Sequence, residues 1–176
     1  MTHLPRVLAL PFLLVAAVSL SSCDYGKEET FGTYEASRFS AEIGAQTVDL
    51  IEAGGRLDLE LSGSGRGGVG GEAFGVFLIP GQLYGRDGFT LRVSYLGTYQ
   101  VEGDQVEFNV SYELSSALRD GEFVDGGAEL SRSEAQDLVE RFVSNPEWSL
   151  SGDTLRASGG EVSAALLRTS TTAGTL

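Results

Sequence analysis

The chain has 176 residues, 41% of them hydrophobic, with 24 glycines and 4 prolines, a composition that indicates one domain of short strands and tight turns and excludes a disordered chain. It carries 25 acidic and 12 basic residues, a formal net charge of −13, and no basic patch, so we expect it to repel nucleic acid. Its single histidine and single cysteine, His3 and Cys23, leave the rest of the chain without the imidazole and thiol groups of a catalytic triad, a zinc site or an internal disulfide.

The N-terminus has the features of a cleaved leader. A short, mildly basic start is followed by an uncharged apolar run over residues 7–20, which is typical of a signal peptide and short for a membrane-spanning helix. The run ends in Leu20-Ser21-Ser22-Cys23, which resembles the lipobox of bacterial lipoproteins. The resemblance implies a signal peptide over residues 1–22, lipid attachment at Cys23, and a lipidated tether over residues 23–30. It also implies an extracytoplasmic domain anchored to the cell membrane on its periplasmic side, with inner and outer membrane both open.

Short strands joined by glycine turns are predicted for most of residues 31–168. Two-residue turns that suit β-hairpins recur along this stretch, at Gly54-Gly55, Gly103-Asp104, Gly152-Asp153 and Gly159-Gly160. Between them, apolar residues alternate with polar ones, as in Leu57, Leu59 and Leu61. The same alternation predicts one shared face for Val106, Phe108, Val110 and Tyr112.

One helix is predicted near residues 131–143. Ser131 and Glu134 have the spacing of a capping box, apolar residues then recur at helical intervals, and Asn145-Pro146 ends the element. We expect its apolar stripe to seal one end or side of the sheet. Residues 169–176 are predicted to form a flexible tail.

Eight to ten strands, mostly in hairpins, predict an all-β, mainly antiparallel fold, either an up-and-down barrel or a β-sandwich. Gly32-Thr33-Tyr34 is similar to the Gly-x-Trp signature of lipocalins, with tyrosine in place of tryptophan, and Arg168 ends the last strand. The chain thus resembles lipocalin-like, or calycin-like, bacterial lipoproteins. The resemblance implies a calycin-like barrel that holds a small apolar ligand and is closed by the pair Tyr34 and Arg168.

Six aromatic residues are candidates for the lining of such a ligand site, with core packing as the competing interpretation. They are Phe74, Phe89, Tyr95, Phe108, Tyr112 and Trp148.

Two further motifs carry no predicted site. Residues 63–68 match Gly-x-Gly-x-x-Gly, but a strand-like segment follows instead of a helix, so we predict a flexible loop. Asp120, Glu122 and Asp125 form an acidic loop that lacks a third acid at Val124 for calcium spacing of the EF-hand type.

We therefore expect no catalytic residue, metal or cofactor. The expected function is a non-enzymatic, membrane-anchored binding module for a small apolar ligand. The alternative is a structural or assembly protein of the cell envelope, with a filled barrel and a protein partner.

Overall fold

A computed structural model of the protein describes residues 30–63, 70–124 and 126–171. The predicted signal peptide, Cys23 and the tether up to residue 29 lie outside the described residues. So do residues 64–69 of the predicted loop, Asp125 and the last five residues of the predicted tail. No helix in the described part of the chain is long and apolar enough to cross a membrane.

The fold is a closed antiparallel barrel of eight strands with one short helix, as predicted. Ten strands are described: β1 Gly32–Ile43, β2 Gln46–Asp49, β3 Arg56–Gly63, β4 Gly70–Pro80, β5 Thr90–Glu102, β6 Gln105–Arg119, β7 Glu122–Val124, β8 Glu147–Ser151, β9 Thr154–Ser158 and β10 Val162–Ser170. Around the barrel the order is β1, β3, β4, β5, β6, β8, β9 and β10, and β10 pairs back with β1. This closure excludes the sandwich. Strands β2 and β7 are short flanks on β1 and β6.

The helix begins where the capping box predicted. Helix α1 spans Arg132–Val139 and continues through a π-helical turn over Glu140–Ser144. The backbone N–H of Glu134 donates to the Ser131 hydroxyl at 3.3 Å, and the backbone N–H of Ser131 donates to the Glu134 carboxylate at 2.8 Å. These two bonds satisfy two of the amide groups that a helix start leaves without partners.

Large buried side chains form the core inside the barrel. The rings of Tyr34, Tyr95 and Tyr99 are each at most 2% exposed, and Phe39, Phe77 and Phe142 are equally buried. The ring of Phe142, from the helical segment, lies 5.6 Å from those of Phe39 and Phe77, centroid to centroid. Burial of this size is the main source of stability in a domain without disulfides. The helix therefore contributes core to the barrel.

The predicted two-residue turns between β5 and β6 and between β8 and β9 are confirmed, and β9 and β10 also form the predicted hairpin, with a longer loop. The predicted hairpin at Gly54-Gly55 is wrong. Strand β2 pairs with β1, and β3 pairs with β1 and β4. The amide of Gly55 instead donates to the carbonyl oxygen of Leu50 at 2.6 Å, within a turn. A pair of glycines marks a turn but does not identify the strands that it joins.

The predicted shared face of residues 106 to 112 is also wrong beyond Val110. Gly97 pairs with Val110 and Leu96 pairs with Tyr112, which leaves Ser111 as an extra residue in a β-bulge. One extra residue reverses the faces of the strand that follows. Tyr112 consequently lies on the outer surface and is 56% exposed, whereas Ala117 is fully buried.

Candidate functional site

The predicted barrel-closing residues face each other across the closing ladder. Tyr34 on β1 and Arg168 on β10 are register partners. The Tyr34 hydroxyl donates to the carbonyl oxygen of Thr30 at 2.8 Å, and Arg168 Nε donates to Oδ1 of Asp153 at 2.8 Å. Arg168 Nη1 reaches the carbonyl oxygen of Phe31 at 3.4 Å. Burial raises the pKa of Tyr34, and the neighbouring arginine partly offsets that rise. The pair ties the start of β1 to the β8–β9 turn.

Of the six predicted lining aromatics, three lie inside the barrel. Tyr95, Phe108 and Trp148 are 1%, 6% and 2% exposed. The rings of Phe108 and Trp148 meet edge to face at 5.4 Å. The indole Nε1–H donates to the carbonyl oxygen of Val143 at 2.8 Å. The Tyr95 ring lies across Gly75, where a Cβ atom would stand 2.1 Å from the ring. These side chains pack against their neighbours, and Phe108 and Trp148 also line a small hollow beside β6.

The other three do not line the interior. Ala73 and Phe77 lie on the buried face of β4, so Phe74 lies on the opposite face and points outward. Tyr112 faces outward because of the bulge. Phe89 precedes β5, and the guanidinium of Arg119 stacks 4.3 Å above its ring.

Among the described residues, three buried tyrosine hydroxyls have no hydrogen-bond partner, and two of them, those of Tyr95 and Tyr99, belong to the barrel core. Burial raises the pKa of both well above the ordinary value for tyrosine. Both hydroxyls therefore remain protonated across the physiological range.

An outer apolar patch, which we define as Phe74, Leu96, Tyr112 and Leu114, crosses three adjacent strands. Phe74 pairs with Leu96, and Leu96 pairs with Tyr112, so the three side chains form one row across β4, β5 and β6. Leu114 lies in the next row on β6. Leu96, Tyr112 and Leu114 are 45%, 56% and 53% exposed. Single exposed apolar side chains are ordinary on a protein surface, whereas a large contiguous group of them is uncommon.

The patch ends at an incomplete seam of the barrel. Strand β6 has 15 residues and β8 has 5, and only Gln105 and Val106 pair with β8. Pairing with β7 resumes at Ala117. Within the part of the chain that the structure describes, residues 107–116 therefore have a strand partner on the β5 side alone. We call this stretch the β6 edge.

The helical segment lies beside the β6 edge without hydrogen-bonding to its backbone among the described residues. The amide of Leu130 donates to the Ser115 side chain at 3.1 Å. Glu113, whose side chain is 11% exposed, has Arg132 Nε at 3.6 Å. Three hollows of about 230, 260 and 270 Å³ follow one another between edge and helix. Each is below the roughly 300–1,000 Å³ typical of sites for drug-sized ligands.

The predicted acidic loop is a tight turn. Asp120 and Gly121 have φ values of 53° and 85° and join β6 to β7. Asp125 lies outside the described residues. In the described ranges, no group of three or more His, Cys, Asp or Glu side chains is placed to hold a metal ion.

Sequence reasoning missed Leu96, Leu114, Glu113 and the β6 edge. One available signal was the unequal length of the strand-like segments, because a long strand beside a short one must overhang it. The bulge at Ser111, which brings Leu114 outward, has no such signal.

No family model matches the chain, and neither a curated protein nor a solved structure matches it. The similarity to lipocalin-like proteins is therefore one of architecture, namely a closed antiparallel barrel of eight strands.

Proposed function

We propose that the protein is a lipid-anchored envelope protein that acts by binding another protein through the outer apolar patch. The observation that carries this proposal is the combination of a core of buried rings with exposed Leu96, Tyr112 and Leu114 on neighbouring strands. Rings that pack against one another inside a small barrel take up space that a ligand would need.

Charge narrows the choice of partner. A chain with a formal net charge of −13 repels nucleic acid and anionic lipid headgroups. Because the patch lies on so acidic a molecule, the surface best suited to cover it belongs to a protein with apolar and basic side chains. Anchoring through Cys23 would hold the domain among proteins of the same membrane face.

The test is photocrosslinking in cells of the native host, with benzoylphenylalanine at Leu114 and, as the control, at the exposed Arg156 on β9. We expect a discrete adduct from position 114 only. The adduct partner is then purified and titrated against the Leu96→Asp/Leu114→Asp variant. Affinity should fall by about 10- to 100-fold, the range for loss of central contact residues. Both side chains are exposed, so the melting temperature should change little.

Two outcomes would overturn the proposal. One is the absence of an adduct at position 114, or the same adduct at both positions. The other is unchanged affinity of the double variant for the purified partner.

Carriage of a small apolar ligand with one polar group is a second candidate. The unpartnered hydroxyls of Tyr95 and Tyr99 favour it, because a buried polar group without a partner is costly. Mass spectrometry of small molecules that co-purify with the native protein tests this candidate. A stoichiometric apolar compound would support it, and a compound-free protein would overturn it.

A further inference from the structure

We propose that the β6 edge accepts an extended, basic segment of the partner protein as an added strand. This inference rests on the proposed function and specifies the kind of partner. An unpaired strand edge presents a row of N–H and C=O groups that an extended peptide can match one for one.

The two hairpin turns that bound β6 determine which backbone groups point away from the barrel. Gln105 pairs with Glu102 across one two-residue turn, so the backbone groups of Gln105 point towards β5. The carbonyl oxygen of Asp104 points the other way and accepts from the amide of Leu150 at 2.7 Å. By alternation, the N–H and C=O groups of Phe108 and Val110 also point away from β5.

The second turn gives the same result beyond the bulge. Arg119 pairs with Glu122 across Asp120-Gly121, so the backbone groups of Arg119 point towards β7. Counting back by twos, those of Glu113 and Ser115 point to the open side. Phe108, Val110, Glu113 and Ser115 thus offer four donors and four acceptors, and none has a backbone partner among the described residues.

The three hollows lie in a row along this edge, and we call this row the track. The first and second share Ser144, and the second and third share Glu113. The third hollow is lined by outward-facing Tyr112 and Leu114 together with inward-facing Glu113 and Ser115. Because side chains from both faces of β6 line the third hollow, this hollow lies at the edge of the strand. An added strand would place its alternate side chains in the track and against the outer apolar patch.

The charge along the track selects a basic segment. Its lining includes the carboxylates of five glutamates and the guanidinium of one arginine: Glu102, Glu107, Glu113, Glu140, Glu147 and Arg132. Edge-to-edge pairing of two copies of this chain would bring these carboxylates together, and like charges placed opposite each other destabilise a strand pair. Lysine or arginine at alternate positions of the incoming strand would instead offset them.

The test uses a fluorescein-labelled decapeptide in which lysine alternates with valine or threonine, titrated against the full domain by fluorescence anisotropy. Two N-methylated versions serve as matched probes, each methylated at one of the two alternating sets of amides. We expect one set to weaken binding at least 10-fold and the other to change it by less than about 2-fold, because only alternate amides of an added strand face the edge. Replacing lysine by glutamate should abolish binding.

Protein variants test the charge contribution. Glu107→Gln and Glu113→Gln should each weaken binding by several fold, and the exposed Glu52→Gln, outside the track, should not. No binding of the lysine decapeptide, or equal weakening by both methylated sets, would overturn the strand addition. The proposed function would survive either result if the crosslink at Leu114 were still formed. Loss of that crosslink with intact decapeptide binding would instead overturn the proposed function alone.

Discussion

The two seams of the barrel differ in how they are closed. Strands β1 and β10 pair over eight register positions, from Thr33 with Ser170 to Ala41 with Val162, and this seam contains Tyr34 and Arg168. Strands β6 and β8 pair over two positions, and beyond them buried side chains of the helical segment pack into the core beside β6. The first seam is held by backbone hydrogen bonds and the second mainly by packing. The second consequently leaves β6 backbone groups available.

The helix is what makes this second seam possible. Phe142 contacts Phe39 and Phe77, so the core is sealed although the sheet is incomplete. The helix side chains bury the apolar interior, but they leave the backbone N–H and C=O groups at the strand edge without a strand partner. A natural edge of this length is a liability for aggregation unless it is protected or occupied. The proposed partner strand would occupy it.

Hydrogen exchange followed by NMR gives the largest expected difference between the two seams. We expect the amides of Phe108, Val110 and Glu113 to exchange at close to unprotected rates. Those of Asn109 and Leu114, which point to β5, should be slower by about 1,000-fold or more, since their exchange requires opening of the domain. Amides in the β1–β10 ladder should be equally slow. Protection of the three edge amides at the level of Asn109 would show that the seam is closed by backbone bonds.

Truncation of the helical plug should have the largest effect on stability. Phe142→Ala removes a ring that is 0% exposed, and we expect a loss of about 3–5 kcal/mol in the free energy of unfolding, measured by urea denaturation. Phe123→Ala is the matched control, since that ring is 67% exposed and its loss should cost about 0.5 kcal/mol or less. Equal effects of the two variants would mean that the helix does not contribute to the core.

The parts of the fold that were predictable depend on local signals. Alternation of apolar residues identifies strands, glycine-containing turns identify hairpins, and the Ser131–Glu134 spacing identifies the helix start. The barrel can be predicted from these signals because each hairpin pairs one strand with the next strand in the sequence. The Gly54-Gly55 hairpin failed because β2 turns back on β1, a choice of partner that the turn residues do not encode.

The candidate site could not be predicted because it arises from relations between distant segments. The length of the β6 edge depends on where β8 joins β6, and these strands are separated by the helix. The outward direction of Tyr112 and Leu114 depends on one extra residue, Ser111, which no composition signal marks. A shift of a single residue exchanges the core and surface faces of a strand. Features of this kind can be predicted only when the pairing register of the strands is known.

The closed seam can be examined through its buried tyrosine. The Tyr34→Phe substitution would leave the carbonyl oxygen of Thr30 without the hydroxyl at 2.8 Å, and Thr30 is 2% exposed. We expect a loss of about 1–3 kcal/mol in the free energy of unfolding. Tyr95→Phe removes a hydroxyl that has no partner among the described residues, so it should cost nothing or stabilise slightly. A similar loss in both variants would indicate that Tyr95 bonds to a group inside the barrel, as the ligand candidate requires.

The smallest expected effect concerns the attachment of the helix at the open seam. Hydrogen bonds from the backbone and side chain of Ser131 lower the pKa of Glu134, as does Arg86, whose Nη2 lies 2.9 Å from the carboxylate. A carboxyl group whose pKa is lowered by folding contributes stability above its unfolded pKa of about 4.5 and loses that contribution as pH falls through its folded pKa. The melting temperature of the wild type should therefore exceed that of Glu134→Gln at pH 7. This difference should shrink between about pH 5 and pH 3, where the wild-type carboxylate is protonated. The matched control is Asp137→Asn, an exposed carboxylate on the same helix that makes none of these contacts. An equal decline in the control would attribute the effect to general acid destabilisation, and the capping contacts of Glu134 would then contribute nothing measurable to the attachment of the helix beside β6.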